Sequence, residues 1–194
     1  MKRTFKNLLM LLLFVGTFTA MANDGLDLKV NQEQSLIVEV KKNQKGAILS
    51  LRDEQGEIVF KDFVNDADEY TKVLNFTNLP VGEYSFILEK EFSISTSKIR
   101  KNEENIQILE DSYVLVFKPL YKQREEKVLL YLANPEENRV VIKIFDKFGV
   151  LVGEISCRDV VIKRTLDFSK VPPGSYFVEI KTKTDNFSHR LNVG

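Results

Sequence analysis

The sequence predicts an all-β protein, two tandem antiparallel β-sandwich domains that follow an N-terminal signal peptide. Two observations carry the β prediction and one carries the tandem. Apolar and polar residues alternate in short runs such as Leu36-Ile37-Val38-Glu39-Val40 and Tyr84-Ser85-Phe86-Ile87-Leu88, the period of a strand with one face buried. Turn signals separate these runs at intervals of about ten residues, a spacing typical of sandwiches. Finally, the stretch Leu74 to Phe86 returns as Leu166 to Val178, with Pro80, Gly82 and Tyr84 repeated as Pro172, Gly174 and Tyr176, each 92 positions on.

In chain order, the leader comes first. Lys2, Arg3 and Lys6 precede an apolar run from Leu8 to Phe18, and Ala20-Met21-Ala22 supplies the small residues of a cleavage site. The run is too short for a convincing membrane span. Residues 1–22 are therefore expected to be removed, with the product exported to the periplasm, cell surface or medium. Removing three basic residues takes the chain from 28 basic and 28 acidic to 25 against 28, a net charge of −3.

The first repeat is assigned to residues 23–102. Leu49-Ser50-Leu51 is a strand, and Asp53-Glu54-Gln55-Gly56 is its hairpin loop. There the Asp side chain is expected to cap the turn, and the Gly to take the left-handed conformation. Glu57 to Lys61 returns, Lys72 to Phe76 follows, and the Pro80-Val81-Gly82 reversal leads into the strand begun by Tyr84. Gly82 and Gly174 are expected to hold turn geometries closed to β-branched residues.

The second repeat is assigned to residues 103–194, because counting 92 back from Gly194 gives Asn102, beside the polar run Lys101 to Asn105. Asp146-Lys147-Phe148-Gly149 repeats the hairpin and Val150 to Glu154 the return. Thr165 to Phe168 precedes Pro172-Pro173-Gly174, and Tyr176, Val178 and Ile180 repeat the inward choice of Tyr84, Phe86 and Leu88. The apolar pieces Ile106 to Leu109 and Ser112 to Phe117 are read as leading strands of this repeat. An alternative gives Ile106 to Leu109 to the first repeat as a closing strand. The charged run Lys122 to Lys127 is read as an exposed loop.

Chemistry is scarce. One Cys, Cys157, excludes an internal disulfide, and a single His, His189, leaves no second imidazole for a zinc site. Catalytic triads would have to be built on that one His, which lies in a strand where the first repeat has Ser97. Asp66-Ala67-Asp68-Glu69 lacks the Gly and distal Glu of a calcium loop. The Asn75-Phe76-Thr77 and Asn186-Phe187-Ser188 sequons lie in or beside strands. With a formal net charge of +0 and no basic stripe, nucleic acid is not an expected partner. No cofactor, metal or catalytic residue is nominated. The expected activity is non-enzymatic, binding or structural, with an unidentified protein or cell-envelope partner, no membrane span after leader removal, and strand-edge association as the cheapest mode.

The Asp-X-X-Gly hairpin, the Pro-X-Gly-X-Tyr segment and the closing basic-apolar strand together resemble the C-terminal sorting domains of the Por (type IX) secretion system. They also resemble related small Ig-like domains of secreted Bacteroidetes proteins. In the second repeat the matching residues are Asp146, Gly149, Leu166, Phe168, Pro172, Gly174, Tyr176, Arg190 and Leu191. The resemblance implies an Ig-like fold, passage across the outer membrane, and removal of the second repeat at the surface. The alternative function is thus secretion-system cargo with a cleavable C-terminal sorting signal.

Overall fold

The structure, a computed structural model, describes residues 25–41, 46–64 and 69–194. The predicted signal peptide and most of the acidic loop at 66–69 lie outside the described residues. Among the described residues all regular structure is β, in fifteen strands.

The first eight are β1 (Leu26–Gln32), β2 (Ser35–Lys41), β3 (Ala47–Arg52), β4 (Ile58–Val64), β5 (Glu69–Asn75), β6 (Gly82–Glu89), β7 (Ser93–Lys101) and β8 (Ile106–Phe117). They form a three-stranded sheet, β1-β2-β5, and a five-stranded sheet, β4-β3-β6-β7-β8, antiparallel throughout. The remaining seven are β9 (Leu120–Arg124), β10 (Lys127–Ala133), β11 (Val140–Asp146), β12 (Leu151–Cys157), β13 (Val161–Asp167), β14 (Gly174–Lys181) and β15 (Asn186–Val193). Their sheets are β13-β10-β9 and β12-β11-β14-β15. The two sets match strand for strand, β1–β7 against β9–β15, and β8 is extra.

Each set encloses its own core. Leu36, Val38 and Val40 of β2 meet Leu49 and Leu51 of β3 and Tyr84, Phe86 and Leu88 of β6, all buried. Val128, Leu130 and Leu132 of β10 meet Val140 and Ile142 of β11 and Tyr176, Val178 and Ile180 of β14 in the same way. Strict alternation puts every second side chain of these strands inward, and burying such side chains is the main favourable term in folding. The intervening residues Ile37, Ser85 and Phe177 stay partly open to solvent.

Two strand assignments need correction. Residues 106–117 do not lead the second set, because β8 pairs along β7, with Ile99 opposite Ile108 and Ile94 opposite Val116. Alternation reports that a segment has a buried face, and not whose sheet it joins. The polar run Lys101 to Asn105 is consequently the turn of a β7–β8 hairpin, closed by the Asn102 N–H donating to the Asn105 carbonyl at 2.9 Å. The passage to the second set is Lys118-Pro119 instead. Likewise, Lys122, Gln123 and Arg124 of the charged run belong to β9 and pair with β10, and the turn falls at Glu125, whose φ is +52°.

Candidate functional site

The repeated motif builds two copies of one corner. In the hairpin after β3, Asp53 Oδ1 accepts from the Gln55 and Glu57 amides at 3.0 and 2.9 Å, and the Gly56 amide donates to the Asp53 carbonyl. After β11, Asp146 Oδ1 accepts from Phe148 and Val150 at 2.8 and 2.9 Å, and Gly149 donates to the Asp146 carbonyl. Gly56 and Gly149 have φ of +85° and +79°, the left-handed region that a β-carbon disfavours.

The second half of the corner precedes β6 and β14. Tyr84 Oη donates to the Pro80 carbonyl at 2.8 Å, and Tyr176 Oη to the Pro172 carbonyl at 2.7 Å. Each ring also packs against the aromatic that directly follows the preceding strand, Phe76 at 5.9 Å and Phe168 at 5.1 Å between centroids. The tyrosine thus ties the turn to the strand it starts while its ring fills the core, the device called a tyrosine corner in immunoglobulin-like sandwiches.

The two glycines of the Pro-X-Gly turns differ. Gly174 has a φ of +155°, whereas the φ of Gly82 is not positive, and a β-carbon there would meet only the Glu54 carboxylate at 3.2 Å. That carboxylate accepts from the Glu83 amide at 2.7 Å. The expected closed geometry at Gly82 is therefore corrected: a flexible side chain, and no backbone constraint, crowds the position. Lys147, where the first set has Glu54, cannot accept such a bond.

Chemically reactive groups are dispersed. His189 lies on β15 and stacks on Tyr121 of β9, with centroids 4.0 Å apart and planes 8° from parallel. Burial holds its imidazole below the ordinary pKa. The Tyr121 hydroxyl is buried and has no hydrogen-bond partner among the described residues, and burial raises its pKa. Cys157 packs partly buried against the second core, and desolvation raises its thiol pKa, which lowers its reactivity. No group of three or more His, Cys, Asp or Glu side chains capable of holding a metal forms among the described residues. The sequence motifs pointed to none of Tyr121, Gln123 or the β15 edge. The alternation of Leu120-Tyr121-Lys122-Gln123 was the available signal, masked by the charges that follow it.

What the surface offers is strand edges. At one side of the second set, β12 and its hairpin expose Phe148, Val150, Leu151 and Val152, and Ile58 and Val59 of β4 stand at the equivalent edge of the first. At the other side, β7 is covered by β8 and β15 has no strand beyond it among the described residues.

Fold and corner together define a pair of antiparallel Ig-like β-sandwich modules. Residues 125–193, from the β9–β10 turn to the end of β15, match the family model described as "Secretion system C-terminal sorting domain". No curated protein matches the chain. Similar solved structures include a biofilm-associated protein BSP domain, at 9% identity and TM-score 0.30 over 87% of this chain and 29% of that one. A two-domain fibronectin type III segment of chicken tenascin is similar at 11% and 0.33 over 87% and 97%. Chicken CNTN1 FN1–FN3 is similar at 8% and 0.32 over 84% and 61%. The chain therefore spans under a third of the length of the first of these.

Proposed function

We propose that this is an exported, non-enzymatic protein whose β9–β15 module acts as a sorting signal for a type IX-like secretion system, with the β1–β8 module as its passenger. The supporting observation is the coincidence of the family match with one complete hydrophobic core: residues 125–193 contain nearly all the side chains that Tyr176, Val178 and Ile180 pack against. A signal read by folded shape needs such a self-sufficient unit. The test is an intact mass of native protein from periplasmic, membrane and medium fractions. Cut protein at the surface or in the medium, lacking β9–β15, is the expected result. Only whole residues 23–194, retained in the periplasm, would overturn the sorting role.

A second reading, a resident binding module that keeps both halves, is favoured by the junction. The Lys118 amide donates to the Phe92 carbonyl at 2.8 Å, Lys118 Nζ pairs with Glu89 at 3.2 Å, and Phe117 packs against the second core. A protease needs an extended, freed segment, and this one is tied on both sides. Both readings place the protein outside the cytoplasm, and the same mass measurement separates them.

A further inference from the structure

We propose that the outer edge of β15 is an acceptor for one antiparallel strand from another polypeptide, an extended segment with apolar residues at alternate positions. The inference goes beyond the sorting role and does not depend on it.

The internal duplication says what covers this edge. In the β6–β7 hairpin the Lys90 amide donates to the Ser93 carbonyl, and in the β14–β15 hairpin the Thr182 amide donates to the Asp185 carbonyl, at 2.8 and 2.9 Å. Because hydrogen-bonded and non-bonded pairs alternate along an antiparallel ladder, these contacts fix which backbone groups face outward. They are those of Ile94, Thr96, Lys98 and Arg100 on β7, and of Asn186, Ser188, Arg190 and Asn192 on β15, each 92 positions on. On β7 all four positions lie opposite β8: Val116, Val114, Leu109 and Gln107 respectively. On β15 one group is occupied among the described residues, the Asn192 carbonyl, which accepts from Gln123 Nε2 at 2.8 Å.

The edge also carries few of the devices that keep strands from pairing, Arg190 being its one charged side chain. β15 pairs with β14 over eight residues without a register shift, and it contains no proline and no lysine. By contrast β8, the outer strand of the first set, is broken by an irregularity near Glu110 and Asp111, where the Ser112 hydroxyl bonds the Lys98 amide in place of a backbone carbonyl. Beside the start of β15, Tyr121 lines a shallow groove with Lys118, Pro119 and Phe187, and its buried hydroxyl has no partner among the described residues.

The pattern of the incoming strand follows from β8. Leu115, Ile108 and Ile106 stand opposite Ser95, Ile99 and Lys101, so apolar residues belong opposite Phe187, Leu191 and Val193. The probe is a capped peptide of the residue 106–117 sequence, added to the full chain with backbone amide exchange followed by NMR. Protection of the Asn186, Ser188 and Arg190 amides, without that of Phe187 and His189, is expected to increase. Ser188→Pro, which removes an outward N–H at an edge where proline is tolerated, should weaken binding by about tenfold and leave the fold intact, while Ser188→Ala binds as before. Should Ser188→Pro itself unfold the module, a graft of the 103–117 sequence after Gly194 decides the matter by raising the melting temperature of the second set. Unchanged exchange at millimolar peptide together with an unchanged melting temperature in the graft would overturn the proposal. So would a β15-mediated dimer in sedimentation, which would make the occupant a second copy.

Discussion

The two halves of this molecule are the same sandwich finished in two ways. β1–β7 and β9–β15 share strand order, hairpin caps and tyrosine corner to within tenths of an ångström in their hydrogen bonds. They part where a neighbour is involved. Glu54 reaches from one hairpin to the Glu83 amide while Lys147 does not, Ser97 is replaced by the stacked His189, and β7 is covered by β8 while β15 has no strand beyond it among the described residues. The difference teaches that the frame is held by contacts local to each turn, and that individuality sits on edges and at the junction.

The largest test of that comparison concerns the independence of the cores. Phe86 is fully buried, and Phe86→Ala should cost about 3–5 kcal/mol by loss of burial and the cavity left behind. In calorimetry the transition of the β1–β8 half should fall and the other stay in place; a joint shift would show one cooperative unit. Next come the unequal glycines. Gly174→Ala should cost on the order of 1–3 kcal/mol because its φ of +155° is closed to a β-carbon, and Gly82→Ala should cost far less because only the Glu54 side chain must move. Equal losses in denaturant melts would contradict the backbone geometry.

A smaller effect is expected at the corner hydroxyls. Tyr84→Phe and Tyr176→Phe each remove one hydrogen bond and leave the ring packed, so each should destabilise its own half by about 1 kcal/mol. Matching values would confirm that the corner works alike in both halves. The smallest effect is pH dependence confined to the second half. Burial lowers the folded-state pKa of His189, so the unfolded chain binds its proton first. The stability it supports is complete above the unfolded value of about 6.5 and declines as pH falls through that value towards the folded one. The β9–β15 transition should drop between neutral and mildly acidic pH, and His189→Gln should flatten the slope; the β1–β8 half has Ser97 there and serves as the internal control.

Much of the frame was legible in the sequence because its causes are local. The inward faces of β2, β6 and β14 follow from alternation, and the Asp53 and Asp146 hairpins follow from a carboxylate that caps and a glycine that bends. The allegiance of β8 was not legible. Ile106 and Ile108 alternate equally well for either half, and pairing is decided by which edge lies within reach. Nor was the strand character of Lys122 to Arg124, since an edge strand with one solvated face reads as a charged loop. At Gly82 the motif was right and the conformation was wrong, because a Pro-X-Gly turn can be satisfied with the glycine in an ordinary conformation. The stacking of Tyr121 on His189 joins residues 68 positions apart, which no local pattern reports.

The junction has a consequence for how the molecule moves. A hinge requires slack, and between the end of β8 and the start of β9 there are two residues, one with its amide bonded to Phe92 and the other a proline. The ring of Phe117 is set into the far core while its backbone stays in the near sheet. Bending therefore has to strip a side chain from one half or a strand end from the other. In solution the pair should tumble as one body, with one rotational correlation time for both halves.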